Sequence, residues 1–150
     1  MEIDRAAPVA AERDVEIRGE QESVWNVLIE VERWPSWQPD ISSAKLDGNF
    51  AEGTQFRWKA GPSTINSTVE RVDRPRLVGW RGKTFGAQAV HVWKLESTPT
   101  GTRVTTEESM SGLIPRLLRG WMQRSLEKSL DTWLRELTKT VEARNARDGR

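Results

Sequence analysis

Six short stretches of alternating polar and apolar residues follow one another, near 41–47, 54–60, 64–73, 76–82, 87–97 and 102–110. Turn residues separate them: Asp47-Gly48-Asn49, Gly61-Pro62-Ser63, Asp73-Arg74-Pro75, Lys83-Thr84-Phe85-Gly86 and Thr98-Pro99-Thr100-Gly101. Alternation of period two with short polar turns predicts an antiparallel meander. After it the period changes. Leu118, Met122, Leu126, Leu130, Trp133, Leu134, Leu137 and Val141 recur at steps of three or four, which predicts one long amphipathic helix over about 112–143. A half-apolar sheet cannot bury its own inner face, so the helix must lie across it, and the sheet must curve.

Upstream, Asp14 to Arg18 alternates as a first strand that Gly19 ends. Gln21 to Arg33 reads as a helix, with Val24, Trp25, Leu28 and Val31 on one stripe. Trp34-Pro35-Ser36-Trp37-Gln38-Pro39 breaks it, because each proline disfavours helix at the residue before it. The prediction is an α+β domain: a curved seven-stranded antiparallel sheet wrapped around a long C-terminal helix, with short helices after the first strand. The domain spans 13–143, residues 1–12 are expected to be a flexible arm, and 144–150 a charged tail.

Composition narrows the chemistry. The 150 residues suit one domain, which buries roughly 70% of its unfolded surface. With no Cys, thiol catalysis, disulfides and thiolate metal sites are excluded, and one His excludes any multi-imidazole site. No metal or other cofactor is therefore expected. A net charge of +1 argues against a nucleic-acid partner. No apolar run approaches the roughly 20 residues of a membrane helix, so no integral membrane association is expected. The acidic N-terminus lacks an apolar signal region, and a cytoplasmic location follows as the expectation. Gly82-Lys83-Thr84 is not a phosphate loop, since Leu77 stands where that motif needs glycine. Eight Trp among 150 residues, with no Tyr, is the oddity that a fold must accommodate.

Strand parity sorts the side chains. Phe56, Trp58, Val78, Trp80, Ala89, His91, Trp93, Val104, Thr106, Glu108 and Met110 fall on the inward face. Leu117, Trp121 and Ser125 of the long helix are expected to close over them. Such an apolar, aromatic set with few polar groups is what a small-molecule pocket needs. The candidate ligand-binding residues are Phe56, Trp58, Val78, Trp80, Ala89, Trp93, Thr106, Met110, Leu117 and Trp121. His91 and Glu108 form the one candidate acid–base pair. A buried polar pair that merely orients a ligand fits the same spacing. Trp25, Trp34, Trp37 and Trp133 are expected to pack the helices and the corner.

Five phrases stand out along the chain: Val24-Trp25 with Leu28, the Trp34-Pro35-x-Trp37-x-Pro39-x-Ile41 corner, Val72-Asp73-Arg74-Pro75-x-Leu77, His91-x-Trp93-x-Leu95-Glu96, and Gly101-Thr102-Arg103-Val104-Thr105 with Glu108. Together they resemble the START-like, Bet v 1-like superfamily, and within it the bacterial polyketide cyclase/dehydrase and lipid-transport family. Arg18-Gly19-Glu20-Gln21 departs from that pattern, as does Glu30. The resemblance implies the helix-grip fold with a deep apolar cavity between sheet and C-terminal helix. It does not imply one reaction. Three functions stay open: binding of a hydrophobic lipid, polyketide or aromatic molecule; a cyclase, aromatase or dehydratase using His91 and Glu108; and a co-chaperone or toxin-like protein-interaction module. A monomer or a homodimer is compatible with each.

Overall fold

A computed structural model describes residues 1–149. Seven strands form one antiparallel sheet: β1 (Val9–Ile17), β2 (Ile41–Leu46), β3 (Gln55–Ala60), β4 (Ser63–Asp73), β5 (Leu77–Thr84), β6 (Ala87–Thr98) and β7 (Gly101–Ser111). Their spatial order is β1-β7-β6-β5-β4-β3-β2. The meander therefore runs through consecutive neighbours, and β1 closes on the last strand. Between β1 and β2 come α1 (Gln21–Ile29) and a 3-10 turn (Val31–Ser36). After β7 come α2 (Leu113–Leu117) and α3 (Arg119–Asp148). This is the curved sheet gripping a long C-terminal helix that the pattern predicts.

Besides the first helix, which ends at Ile29 rather than Arg33 and gives way to the 3-10 turn, three boundaries differ from the sequence reading. The strand expected from Asp14 starts at Val9, because β1 pairs with β7 along its whole length, from Val9 opposite Met110 to Ile17 opposite Thr102. The segment before it, expected to be a loose arm, lies over the outer face. Ile3 is buried there. The Asp4 amide donates to Ser109 Oγ at 3.1 Å, and Arg5 donates to Glu107 at 3.2 Å. Parity alone sends Glu107 to solvent, yet this cover leaves it 2% exposed.

Secondly, the single helix over 112–143 is two. The chain turns at Leu118 (φ −111°, ψ 35°) before α3 begins. Thirdly, α3 continues to Asp148, into the expected tail. Arg144 reaches Glu30 at 3.3 Å, and Asn145 Nδ2 donates to the Arg18 carbonyl at 3.1 Å.

The helix stripe buries Leu126, Leu130, Trp133, Leu134, Leu137 and Val141 against the sheet and α1. Its flank also caps the edge strand. Gln123 Nε2 donates to the Ala10 carbonyl at 2.7 Å, and its Oε1 accepts from the Ala10 amide at 3.1 Å. One side-chain amide thus occupies backbone groups that an open edge would leave unpaired.

The indoles concentrate at one end of the grip. Trp34, fully buried, donates Nε1–H to the Leu28 carbonyl at 3.0 Å, which locks the corner. Its ring meets Phe56 and Trp58 edge-on at 5.6 Å and Trp133 at 5.1 Å. Trp133 in turn meets Trp37 at 5.7 Å and Trp93 at 5.5 Å. Edge-to-face pairs of this kind contribute about 0.5–1.5 kcal/mol each beyond area burial. One end of the space between sheet and helix is therefore solid aromatic core. The other end is open.

Candidate functional site

The open end is a cavity of about 530 Å³ between the inner sheet face and α3. That volume lies within the range for drug-sized ligands, about 300–1,000 Å³. Trp58 and Trp80 form its wall towards the aromatic core, and Ala89 and Met110 line the strands nearer the opening. Met122 and Leu126 face them from α3, with Ser125, Ser129 and Thr132 between the apolar positions. Trp121 stands on the rim. Trp58 is held by its own Nε1–H, which donates to Ser67 Oγ at 3.1 Å.

His91 and Glu108 lie directly opposite each other on β6 and β7. Parity turns both inwards, and both line the cavity. His91 Nδ1 is 3.1 Å from Glu108 Oε1, and His91 Nε2 is 2.7 Å from Thr106 Oγ1. Trp93 stacks on the imidazole at 5.1 Å, and Trp80 meets its edge at 5.2 Å. Burial among these rings disfavours both charges. It pushes the His91 imidazolium down to about 3 and the Glu108 carboxyl up to about 8. At neutral pH the contact is therefore a hydrogen bond between neutral groups, not an ion pair. Both ring nitrogens are engaged, Nδ1 by the Glu108 carboxyl and Nε2 by the Thr106 hydroxyl. Glu108 keeps 12% of its side chain open, on the cavity side.

The structure brings Trp58, Trp80, Ala89, His91, Glu108, Met110 and Trp121 around one space. It does not bring the other sequence-derived candidates there. Phe56 is sealed in the core against Trp34 and Trp80, and Val78 is fully buried in the same core. Trp93 is fully buried behind the His91 ring that stacks on it. Thr106 sits in the same layer, with its hydroxyl occupied by His91. Leu117 lies on α2, before the turn at Leu118, and is 70% exposed. Parity identifies the inward face but not the depth along it, which is why these residues pass the sequence test.

Missed by the sequence reading were Ile65 and Ser67 of β4 and the helix residues Met122, Leu126 and Ser129. The alternation of Ile65 and Ser67 was a usable signal, and so was their pairing across from Trp58 and Phe56. A larger depression of about 920 Å³ lies on the outer face, among Lys45, Arg57, Asn66, Arg81 and Gln88. Its floor is the outward side of the sheet.

A curved sheet, a gripping helix and an aromatic-walled cavity define the helix-grip class. The chain belongs to the polyketide cyclase / dehydrase and lipid transport family, whose model matches residues 8–142. Solved structures agree on the fold. The aromatase/cyclase Zhui from Streptomyces sp. R1128 is 15% identical, with a TM-score of 0.79 over 90% of this chain and 94% of that one. A START superfamily protein from Mycobacterium smegmatis is 14% identical, with a TM-score of 0.75 over 89% and 97%. TTHA0849 from Thermus thermophilus is 20% identical, with a TM-score of 0.76 over 90% and 97%. At these identities the likeness is one of fold. Among curated proteins none matches this sequence.

Proposed function

We propose that the chain binds an uncharged hydrophobic small molecule, a lipid, polyketide or aromatic, between sheet and α3. The observation that carries this reading is the cavity of about 530 Å³, walled by indoles and thioether side chains, with a neutral His91–Glu108 pair in its lining. Apolar walls supply the driving force. The pair adds a polar anchor with no net charge, which suits a carbonyl or hydroxyl better than a carboxylate. An anionic group beside Glu108 would oppose its ionisation further.

Two measurements test the reading. Mass spectrometry of the protein after exposure to lipid and polyketide extracts should find a retained neutral molecule. Titration with anthraquinone should quench Trp emission with a saturable curve. No retained molecule and no saturable quenching would refute it.

A second reading is favoured by one observation: the 3.1 Å contact inside the cavity. A carboxyl that stays protonated at neutral pH is a proton donor, and once Glu108 has given up its proton the carboxylate left beside His91 raises the affinity of the imidazole for one. On this reading Glu108 protonates a substrate oxygen and His91 takes a proton, as an aldol cyclisation or dehydration requires. Turnover of a poly-β-keto thioester, lost in both Glu108→Gln and His91→Ala, supports it. Wild-type rates in both variants refute these roles.

A further inference from the structure

Five large apolar side chains remain exposed, and they gather on one side of the molecule. Phe85 is 91% exposed at the tip of the β5–β6 hairpin, Leu117 70%, Leu113 65%, Trp121 61% and Leu118 49%. The hairpin and the helices are physically joined. The Ile114 amide donates to the Gly86 carbonyl at 3.1 Å, next to Phe85. Thr84, Ala87 and Trp121 line one cavity, so the patch borders the mouth of that cavity.

Charge follows the same boundary. Residues 109–126 contain Arg116, Arg119 and Arg124 and no Asp or Glu; residues 82–93 contain Lys83 and likewise no acid. Among the described residues none of these four cations is ion-paired. Elsewhere Arg5, Arg13, Arg74, Arg103 and Arg144 all hold carboxylates. Four cations without a carboxylate partner thus accompany the exposed apolar side chains, on two stretches of chain that carry no acid.

We propose that this patch docks the protein on the surface of an anionic lipid bilayer, with the cavity rim facing the lipid. The exposure favours a bilayer over a protein. Phe85 and Leu117 come from two separate elements, and each stands nearly free of neighbours, as a knob rather than the wall of a groove. A fluid interface conforms to such knobs, while a folded partner needs matching holes. Trp and Arg are the residues that settle at the headgroup level, where indole spans apolar and polar layers and guanidinium meets phosphate. No described helix is long and apolar enough to cross a membrane, so the association is peripheral. The patch stands apart from the content of the cavity: vesicle binding reads the rim, and ligand titration reads the interior.

The test is flotation of the full chain with vesicles of phosphatidylcholine alone and with about 30% phosphatidylglycerol added. The protein should float with the anionic vesicles, about tenfold more weakly with the neutral ones, and less in high salt. Phe85→Ser/Leu117→Ser should weaken anionic binding about tenfold, and so should Arg116→Glu/Arg119→Glu, both with unchanged circular dichroism. In the wild type, brominated phosphatidylglycerol should quench Trp emission, and Trp121→Leu should remove most of that quenching. Absence of flotation overturns the proposal, and so does equal flotation of both double variants. Capture of an acidic protein by a chain that leaves vesicles untouched also overturns it, assigning the patch to a protein partner.

Discussion

Glu108 and His91 make opposite demands on pH. An ordinary carboxyl titrates near 4.5; in the fold Glu108 titrates at about 8. Between those values the folded state keeps a proton that the unfolded chain has released, so Glu108 makes stability fall as pH rises. His91 moves from 6.5 to about 3. Between those values the folded state lacks a proton that the unfolded chain holds, so His91 makes stability rise with pH. The slopes cancel from about pH 4.5 to 6.5, and above 6.5 Glu108 acts alone. The loss from pH 6.5 to 8 is about 2 kcal/mol, at about 1.36 kcal/mol per pH unit. Melting temperatures should therefore fall over that interval in the wild type and stay level in Glu108→Gln. Parallel curves would show that Glu108 is not held neutral. Gly86 is one of the positions where the backbone requires glycine. Gly86 has φ +71°, and a Cβ there would stand 2.6 Å from Ile114 Cδ1. Gly86→Ala should destabilise the fold by about 1–3 kcal/mol, measured by chemical denaturation. A neutral effect would mean that α2 yields freely.

Among the elements, the strands were the most legible part of the chain. Ala89, His91, Trp93 and Leu95 alternate with Gln88, Val90, Val92, Lys94 and Glu96, and β6 runs from Ala87 to Thr98. Hydrogen-bonded neighbours need no more information than alternation and turns provide. The bend at Leu118 was not legible, because apolar residues at steps of three or four continue across it. Periodicity reports which face is apolar but not the direction of the axis. That direction is set by the Ile114–Gly86 hydrogen bond, which ties α2 to a hairpin distant in sequence. The misplacement of Leu117 follows from the same blindness. The cover over Glu107 was illegible for a similar reason, since a short segment without periodicity packs through Ile3 and a few polar contacts. The burial of α3 carries an energetic prediction. Leu130 and Leu137 are fully buried. Leu137→Ala should cost about 2–5 kcal/mol by urea denaturation, and a loss below about 1 kcal/mol would contradict the packing of α3 on α1 and the sheet.

Across the whole molecule, the eight Trp divide the grip into a solid end and an open end. Trp34, Trp37, Trp93 and Trp133 join Phe56 in the solid end, and Trp25 packs nearby in α1. Trp58 and Trp80 face both ways, with one edge in the aromatic core and another on the cavity. Trp121 guards the rim. A sequence can show that the indoles lie inwards. It cannot show how deep the packing reaches, because depth depends on where α3 crosses the sheet. Ala89 lines the open end with the smallest side chain that has a Cβ, so it is the place to fill the space without touching the aromatic core. The measurement that tests the cavity most directly is therefore a Trp-emission titration with anthraquinone, in the wild type and in Ala89→Phe. Saturable quenching in the wild type, weakened about tenfold or more in the filled variant at unchanged melting temperature, is the predicted result. Equal binding by both proteins would place the ligand elsewhere and contradict the cavity as the binding site.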